Sequence, residues 1–129
     1  MNSPRAKTLL LIEDDAILLS TLSSVAESLG YQVKGCESEK EAINLAGAFN
    51  PTLVFCDVHL PKGDGRKVLA AMREDEALND CQVVLMTGDW VGASRQASVD
   101  FKADDYLAKP FTLEEFTACV HERYRQANL

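Results

Sequence analysis

The chain has no apolar run longer than a strand, one tryptophan, two histidines, and only 13 Lys and Arg against 20 Asp and Glu in 129 residues. Each scarcity excludes something. A bilayer-spanning helix needs roughly 20 apolar residues, and Met1 to Lys7 lacks the apolar core of a signal peptide. The expectation is a soluble, cytoplasmic protein with no membrane partner. A formal charge of −7 and a pI near 4.7 leave no basic face to neutralise phosphates, so nucleic acid is not an expected partner of this domain. Cys36, Cys56, Cys81 and Cys119 are scattered, with no C-x-x-C pair and no histidine at metal spacing. They read as reduced structural thiols, not as a disulfide framework or a zinc site. With 47% hydrophobic residues and no repeat, linker or low-complexity segment, residues 1–129 are expected to form one domain. Residues 1–6 read as a frayed tail, and 125–129 as a tail or the start of a linker. No effector segment follows Leu129 in the sequence, which leaves open a stand-alone protein or a piece of a larger one.

What is present is a repetition. Four apolar runs each end on a polar residue suited to phosphate or a hard cation: Thr8 to Ile12 into Glu13-Asp14-Asp15, Thr52 to Cys56 into Asp57, Val83 to Met86 into Thr87, and Tyr106 to Ala108 into Lys109-Pro110. Between them lie helical patterns. Ile17, Leu18, Leu22, Val25, Ala26 and Leu29 keep helical spacing with Gly30 as the stop. Tyr31 to Gly35 reads as a second strand, and Ser38 to Glu41 as a capping box opening a helix to about Ala48. A Pro- and Gly-containing loop then leads to a helix bearing Val68, Leu69 and Met72. Further helices are expected from about Ala93 to Phe101 and from Thr112, whose Glu115 completes a second capping box. A strand over Asp104 to Leu107 lies between those two helices. The pattern is βα five times over, which implies an α/β, doubly wound, five-stranded parallel sheet covered by helices on both faces.

In such a fold the polar strand ends share one edge, where ligands bind. Glu13, Asp14 and Asp57 would crowd three carboxylates together, a repulsion that a divalent cation relieves. Oxygen-only donors favour Mg²⁺, with Mn²⁺ as the alternative, over zinc. Lys109 offers a compact positive charge and Thr87 a hydroxyl, both suited to phosphoryl oxygens. Asp57 is then the carboxylate left to accept a phosphoryl group. Taken alone, each feature has a plainer reading: an acidic run after a strand is commonly a helix N-cap, and Asp15 fits that role. Their conjunction at four strand ends points to one site.

These motifs resemble the receiver domain of bacterial two-component response regulators, over essentially the whole chain. The resemblance is carried by Leu9 to Asp15, by Asp57-Val58-His59-Leu60-Pro61-Lys62-Gly63-Asp64-Gly65, by Met86-Thr87-Gly88, and by Ala103 to Phe111. It implies a flavodoxin-like (βα)5 fold with strand order 2-1-3-4-5. It implies that Asp57 accepts a phosphoryl group from a phosphohistidine on a sensor histidine kinase or a histidine phosphotransfer protein. Mg²⁺ is expected on Asp14, Asp57, Glu13 and the carbonyl of His59, with Thr87 and Lys109 on the phosphoryl oxygens and a cis Lys109-Pro110 bond. The protein would catalyse only its own phosphorylation and dephosphorylation.

The same resemblance makes Thr87 and Tyr106 the switch pair, changing a face built from residues 93–102, the fifth strand and the last helix for an unknown downstream partner or effector. The alternative is a protein-interaction module that has lost phosphorylation. Two other classes fit poorly. An aspartate-nucleophile phosphatase of the haloacid dehalogenase type needs a second aspartate where His59 stands, and a flavin-binding redox protein would have its cofactor phosphate repelled by Glu13-Asp14-Asp15.

Overall fold

The computed structural model of the protein describes residues 3–88 and 103–129. Five parallel strands form one sheet: β1 (Thr8–Ile12), β2 (Gln32–Cys36), β3 (Leu53–Asp57), β4 (Gln82–Thr87) and β5 (Asp105–Ala108). Their spatial order is β2-β1-β3-β4-β5, the order that the resemblance implied. Helices α1 (Ala16–Ser28), α2 (Glu39–Phe49), α3 (Gly65–Glu74) and a C-terminal helix (Leu113–Ala127) cover the sheet.

The strands are apolar throughout because both faces are covered. Leu9, Leu11, Leu53, Phe55, Val84 and Met86 point into one core with Leu22 and Ala26 of α1 and Phe116 and Val120 of the C-terminal helix. The alternate residues Leu10, Ile12, Val54, Cys56, Val83 and Leu85 point into the other, with Ala42 and Ala46 of α2 and Val68, Leu69 and Met72 of α3. A one-residue slip of any strand would exchange its two sets of neighbours, so the period-two alternation is what holds the register.

Caps set the helix starts. Asp15 accepts from the amides of Ile17 and Leu18 and opens α1. Ser38 accepts from Glu41 N–H to open α2, and its hydroxyl donates to Glu41 Oε1 at 3.0 Å. Thr112 and Glu115 form the full reciprocal capping box of the C-terminal helix. Gly30, at φ +95°, and Asn50, at φ 52°, take the left-handed conformation where α1 and α2 hand over to the next segment.

Several expectations are corrected. Strands two and five each begin and end one residue later than the sequence pattern predicted. The stretch after Asp57 is not plain loop: His59–Leu60 and Gly63–Asp64 form a two-residue antiparallel ladder. Arg5 is tied to the last turns of the C-terminal helix. Arg5 N–H donates to Asn128 Oδ1 at 2.7 Å, Tyr124 donates its hydroxyl to the Arg5 carbonyl, and the C-terminal helix runs on to Ala127. The helix expected from about Ala93 to Phe101 lies outside the described residues. No described helix is long and apolar enough to cross a membrane. All four cysteines are buried free thiols, as their scatter suggested.

Candidate functional site

The sheet register assembles the site. Ile12 lies beside Cys56, so Glu13 and Asp57 leave adjacent strands side by side at the C-terminal edge. Asp57 lies beside Met86, and Thr87 beside Ala108. Two backbone bonds fix the next residues: Val58 N–H to the Met86 carbonyl and Lys109 N–H to the Thr87 carbonyl, both 2.9 Å. Four segments far apart in sequence are thereby held within one row of main chain.

Carboxylate oxygens of Glu13, Asp14 and Asp57 lie within 4.8 Å of one another, Glu13 and Asp57 buried and Asp14 exposed. Lys109 reaches into this cluster, its Nζ 2.7 Å from Glu13 Oε2 and 2.8 Å from Asp57 Oδ2. Asp57 Oδ1 accepts from the His59 amide at 3.0 Å, and Glu13 Oε1 from the Asp15 amide at 3.2 Å. Burial pushes the Glu13 carboxyl above its ordinary range, against the opposing pull of Lys109. Burial also acts to lower Lys109, but its hydrogen bonds to Asp57 and Glu13 outweigh this and hold the ammonium above its ordinary value. Three carboxylates facing one ammonium leave the cluster short of positive charge. The donors are all hard oxygens and Asp14 lies open to solvent, so the set suits a hard divalent cation that keeps water.

Thr87 is fully buried at the end of β4. Tyr106 packs against the core on the α2 and α3 side, with its hydroxyl buried. Among the described residues, none places a heavy atom within 4 Å of where a Gly88 Cβ would stand. The Lys109-Pro110 bond is cis, as expected. The imidazole of His59 is exposed, and so is His121 on the C-terminal helix. The 93–102 part of the expected output face lies outside the described residues.

Other acidic residues are engaged elsewhere. Asp104 accepts from Val83 N–H and Arg73 Nη2, both at 2.7 Å. It ties α3 to the start of β4. Asp64 caps α3 through Arg66 N–H at 2.8 Å and pairs with the Arg66 guanidinium at 2.7 Å. Burial alone would raise the Asp64 carboxyl, but those Arg66 contacts hold it below its usual range.

Two residues escaped the sequence reading. A Cβ on Gly65 would stand 2.2 Å from the Asp57 carbonyl oxygen and 2.9 Å from Cys56 Sγ, so only glycine lets α3 approach the end of β3. The Gly63-Asp64-Gly65 sequence signalled a turn but not which backbone it would press against. Glu39 was taken only as part of a helix start, yet its Oε2 accepts from the Asp64 amide at 3.2 Å. No local pattern links residues 25 positions apart.

The family model for the response regulator receiver domain matches residues 9–121. The DNA-binding dual master transcriptional regulator RpaA of Synechocystis is 33% identical over 120 residues, which cover 93% of this chain and 50% of RpaA. The chain spans about half the length of the curated relatives it matches. Among solved structures, a response-regulator receiver domain from Bermanella marisrubri superposes with TM-score 0.82 at 26% identity, covering 92% of this chain and 98% of that one. The receiver domain of the sensor histidine kinase PA1611 from Pseudomonas aeruginosa, with a magnesium ion coordinated in its active-site cleft, gives TM-score 0.84 at 23% identity. It covers 94% of this chain and 99% of that one.

Proposed function

The chain belongs to the response regulator receiver domain family, and on that premise we propose that it is a signalling switch operated by phosphorylation of Asp57. One observation carries the reading. Asp57 is the buried carboxylate that shares an ammonium with Glu13, at a sheet edge where Asp14, Thr87 and Lys109 converge. Its Oδ1 accepts from the His59 amide, which fixes the carboxylate in one orientation.

Glu13, Asp14, Asp57 and the His59 carbonyl are the groups that would hold Mg²⁺. When bound, the ion would supply the positive charge that the three carboxylates lack and that a phosphoryl group needs. An Asp57 oxygen attacks phosphorus, the P–N bond of the donor phosphohistidine breaks, and the leaving imidazole nitrogen takes a proton from solvent. Lys109 exchanges its bond to Asp57 for one to a phosphoryl oxygen, and the Thr87 hydroxyl donates to another. Attack by water on phosphorus returns the free carboxylate and inorganic phosphate, so the signal is self-limiting.

The new group brings nearly two negative charges. Movement of Thr87 toward it vacates space that Tyr106 follows, changing the face of β5 and the C-terminal helix. A few kcal/mol of differential affinity suffices to invert such an equilibrium. The donor is a histidine kinase or histidine phosphotransfer protein, and the readout is a downstream protein or domain. Intact-mass spectrometry after incubation with acetyl phosphate and Mg²⁺ tests the reading. One phosphoryl adduct is expected on the wild type and none on Asp57→Asn; an unmodified wild type that also resists a phosphohistidine donor favours an interaction module without phosphorylation.

A further inference from the structure

Resting on the switch reading, we propose that Glu39 is a positioning residue for the phosphorylation site, holding the loop between Asp57 and Gly65 from the neighbouring helix. Glu39 is the first residue of α2, and its Oε2 accepts from the Asp64 amide at 3.2 Å. Asp64 lies opposite His59 in the short ladder, and the His59 amide donates to Asp57 Oδ1 at 3.0 Å. A continuous path therefore runs from the α2 side chain through the loop main chain to the phosphoryl-accepting carboxylate. The same loop carries the His59 carbonyl assigned to the metal.

The fit is reciprocal. A Cβ on Gly63 would stand 2.3 Å from Glu39 Oε2 and 2.6 Å from Glu39 Cβ, so the bare main chain at 63 is what admits this side chain. The Asp64 carboxylate is already committed to Arg66, through its amide at 2.8 Å and its guanidinium at 2.7 and 3.1 Å. The Asp64 amide thus depends on an acceptor from outside the loop, because a half-buried N–H left without one is destabilising. An acid in the first turn of a helix is favourable in any case. Here, though, the Glu39 carboxylate turns to another segment's amide.

An acceptor is what the position requires, which glutamine also provides. The test uses the full chain as wild type, Glu39→Gln, Glu39→Ala, Gly63→Ala and the Glu39→Ala/Gly63→Ala double variant. Mg²⁺ affinity is measured by calorimetric titration without any phosphodonor, and phosphoryl uptake from acetyl phosphate at saturating Mg²⁺ by intact mass. Glu39→Ala is expected to weaken Mg²⁺ binding about tenfold, the size common for groups that orient a metal's ligands, and to slow uptake, with a modest fall in melting temperature from the Asp64 amide left without its acceptor. Glu39→Gln stays within about twofold of wild type, since it keeps the acceptor. Gly63→Ala displaces the side chain and also meets Glu39 Cβ at 2.6 Å, an atom that alanine at 39 keeps, so it is at least as impaired as Glu39→Ala, and the double variant is no worse than Gly63→Ala alone.

Two results overturn the proposal: Glu39→Ala matching wild type in both readouts, or Glu39→Gln as impaired as Glu39→Ala, which would make the effect one of charge. A wild type that binds Mg²⁺ but takes up no phosphoryl group defeats the switch reading instead, and the Mg²⁺ titrations still judge Glu39.

Discussion

Replacing Gly65 with alanine should damage both stability and function, because the added methyl meets main chain. Its Cβ would stand 2.2 Å from the Asp57 carbonyl oxygen, 2.9 Å from the Asp57 carbonyl carbon and 2.9 Å from Cys56 Sγ. Comfortable contacts lie near 3.5 Å, so α3 and the end of β3 must separate by about 1 Å. Overpacking of this kind costs roughly 1–3 kcal/mol. The Gly65 N–H to Val58 carbonyl bond, 2.9 Å, stretches with it and adds about 1 kcal/mol. The better helix propensity of alanine returns only a few tenths at a first-turn position. A net loss of about 2 kcal/mol corresponds to a fall of about 8 °C in melting temperature for a domain of this size. Because the displaced atoms belong to Asp57 itself, phosphoryl uptake should fall by about tenfold or more. Differential scanning calorimetry and timed intact-mass measurements read the two effects. Gly88→Ala, which meets no described residue within 4 Å, is the stability control. Gly65→Ala melting within about 2 °C of wild type, with unchanged uptake, would refute the packing argument.

Three further outcomes follow from the same structure. Gly47 is exposed within α2 with no described residue within 4 Å of its Cβ position, so Gly47→Ala should stabilise by about 0.5–1 kcal/mol in urea denaturation; a loss would contradict it. Lys109→Met leaves Glu13 and Asp57 facing each other without their ammonium. Since Lys109 is 24% exposed, the loss should be about 2–3 kcal/mol, less than for a fully buried pair. Mg²⁺ should then raise the variant's melting temperature more than the wild type's, and an equal shift would count against the charge argument. Burial pushes Cys36 and Cys81 up to about 11 from 9.0. Thiols raised in the folded state stabilise it below the unfolded value and lose that contribution as pH climbs toward the folded value. Urea melts should therefore show stability falling between about pH 9 and 11, where a flat profile would argue against tight burial.

The sheet and its site were legible because both depend on local patterns that the fold preserves. Leu9 to Ile12 and Leu53 to Cys56 are apolar at every position, as strands covered on both faces must be, and each run ends on a side chain of the candidate site. Thr112 and Glu115 announced the last helix by a spacing that the structure closes at 3.0 Å in both directions. Strand ends at Tyr31 and Asp104 were misplaced by one residue, since pairing with a neighbour, not the strand's own composition, decides where a ladder starts. The clasp of Arg5 on Tyr124 and Asn128, the anchoring of Asp104 by Arg73, and the reach of Glu39 to Asp64 were invisible for one reason. Each joins polar residues far apart in sequence, and such pairs have no period to read. Gly65 shows the same limit: glycine signals freedom of the main chain, but not which carbonyl will occupy the space.

The most direct test of the central claim is intact mass after incubation with acetyl phosphate, with and without Mg²⁺, on wild type and Asp57→Asn. The account predicts one phosphoryl adduct on the wild type, dependent on Mg²⁺ and absent from the variant. An adduct that persists in Asp57→Asn, or that forms equally well without the metal, would contradict it.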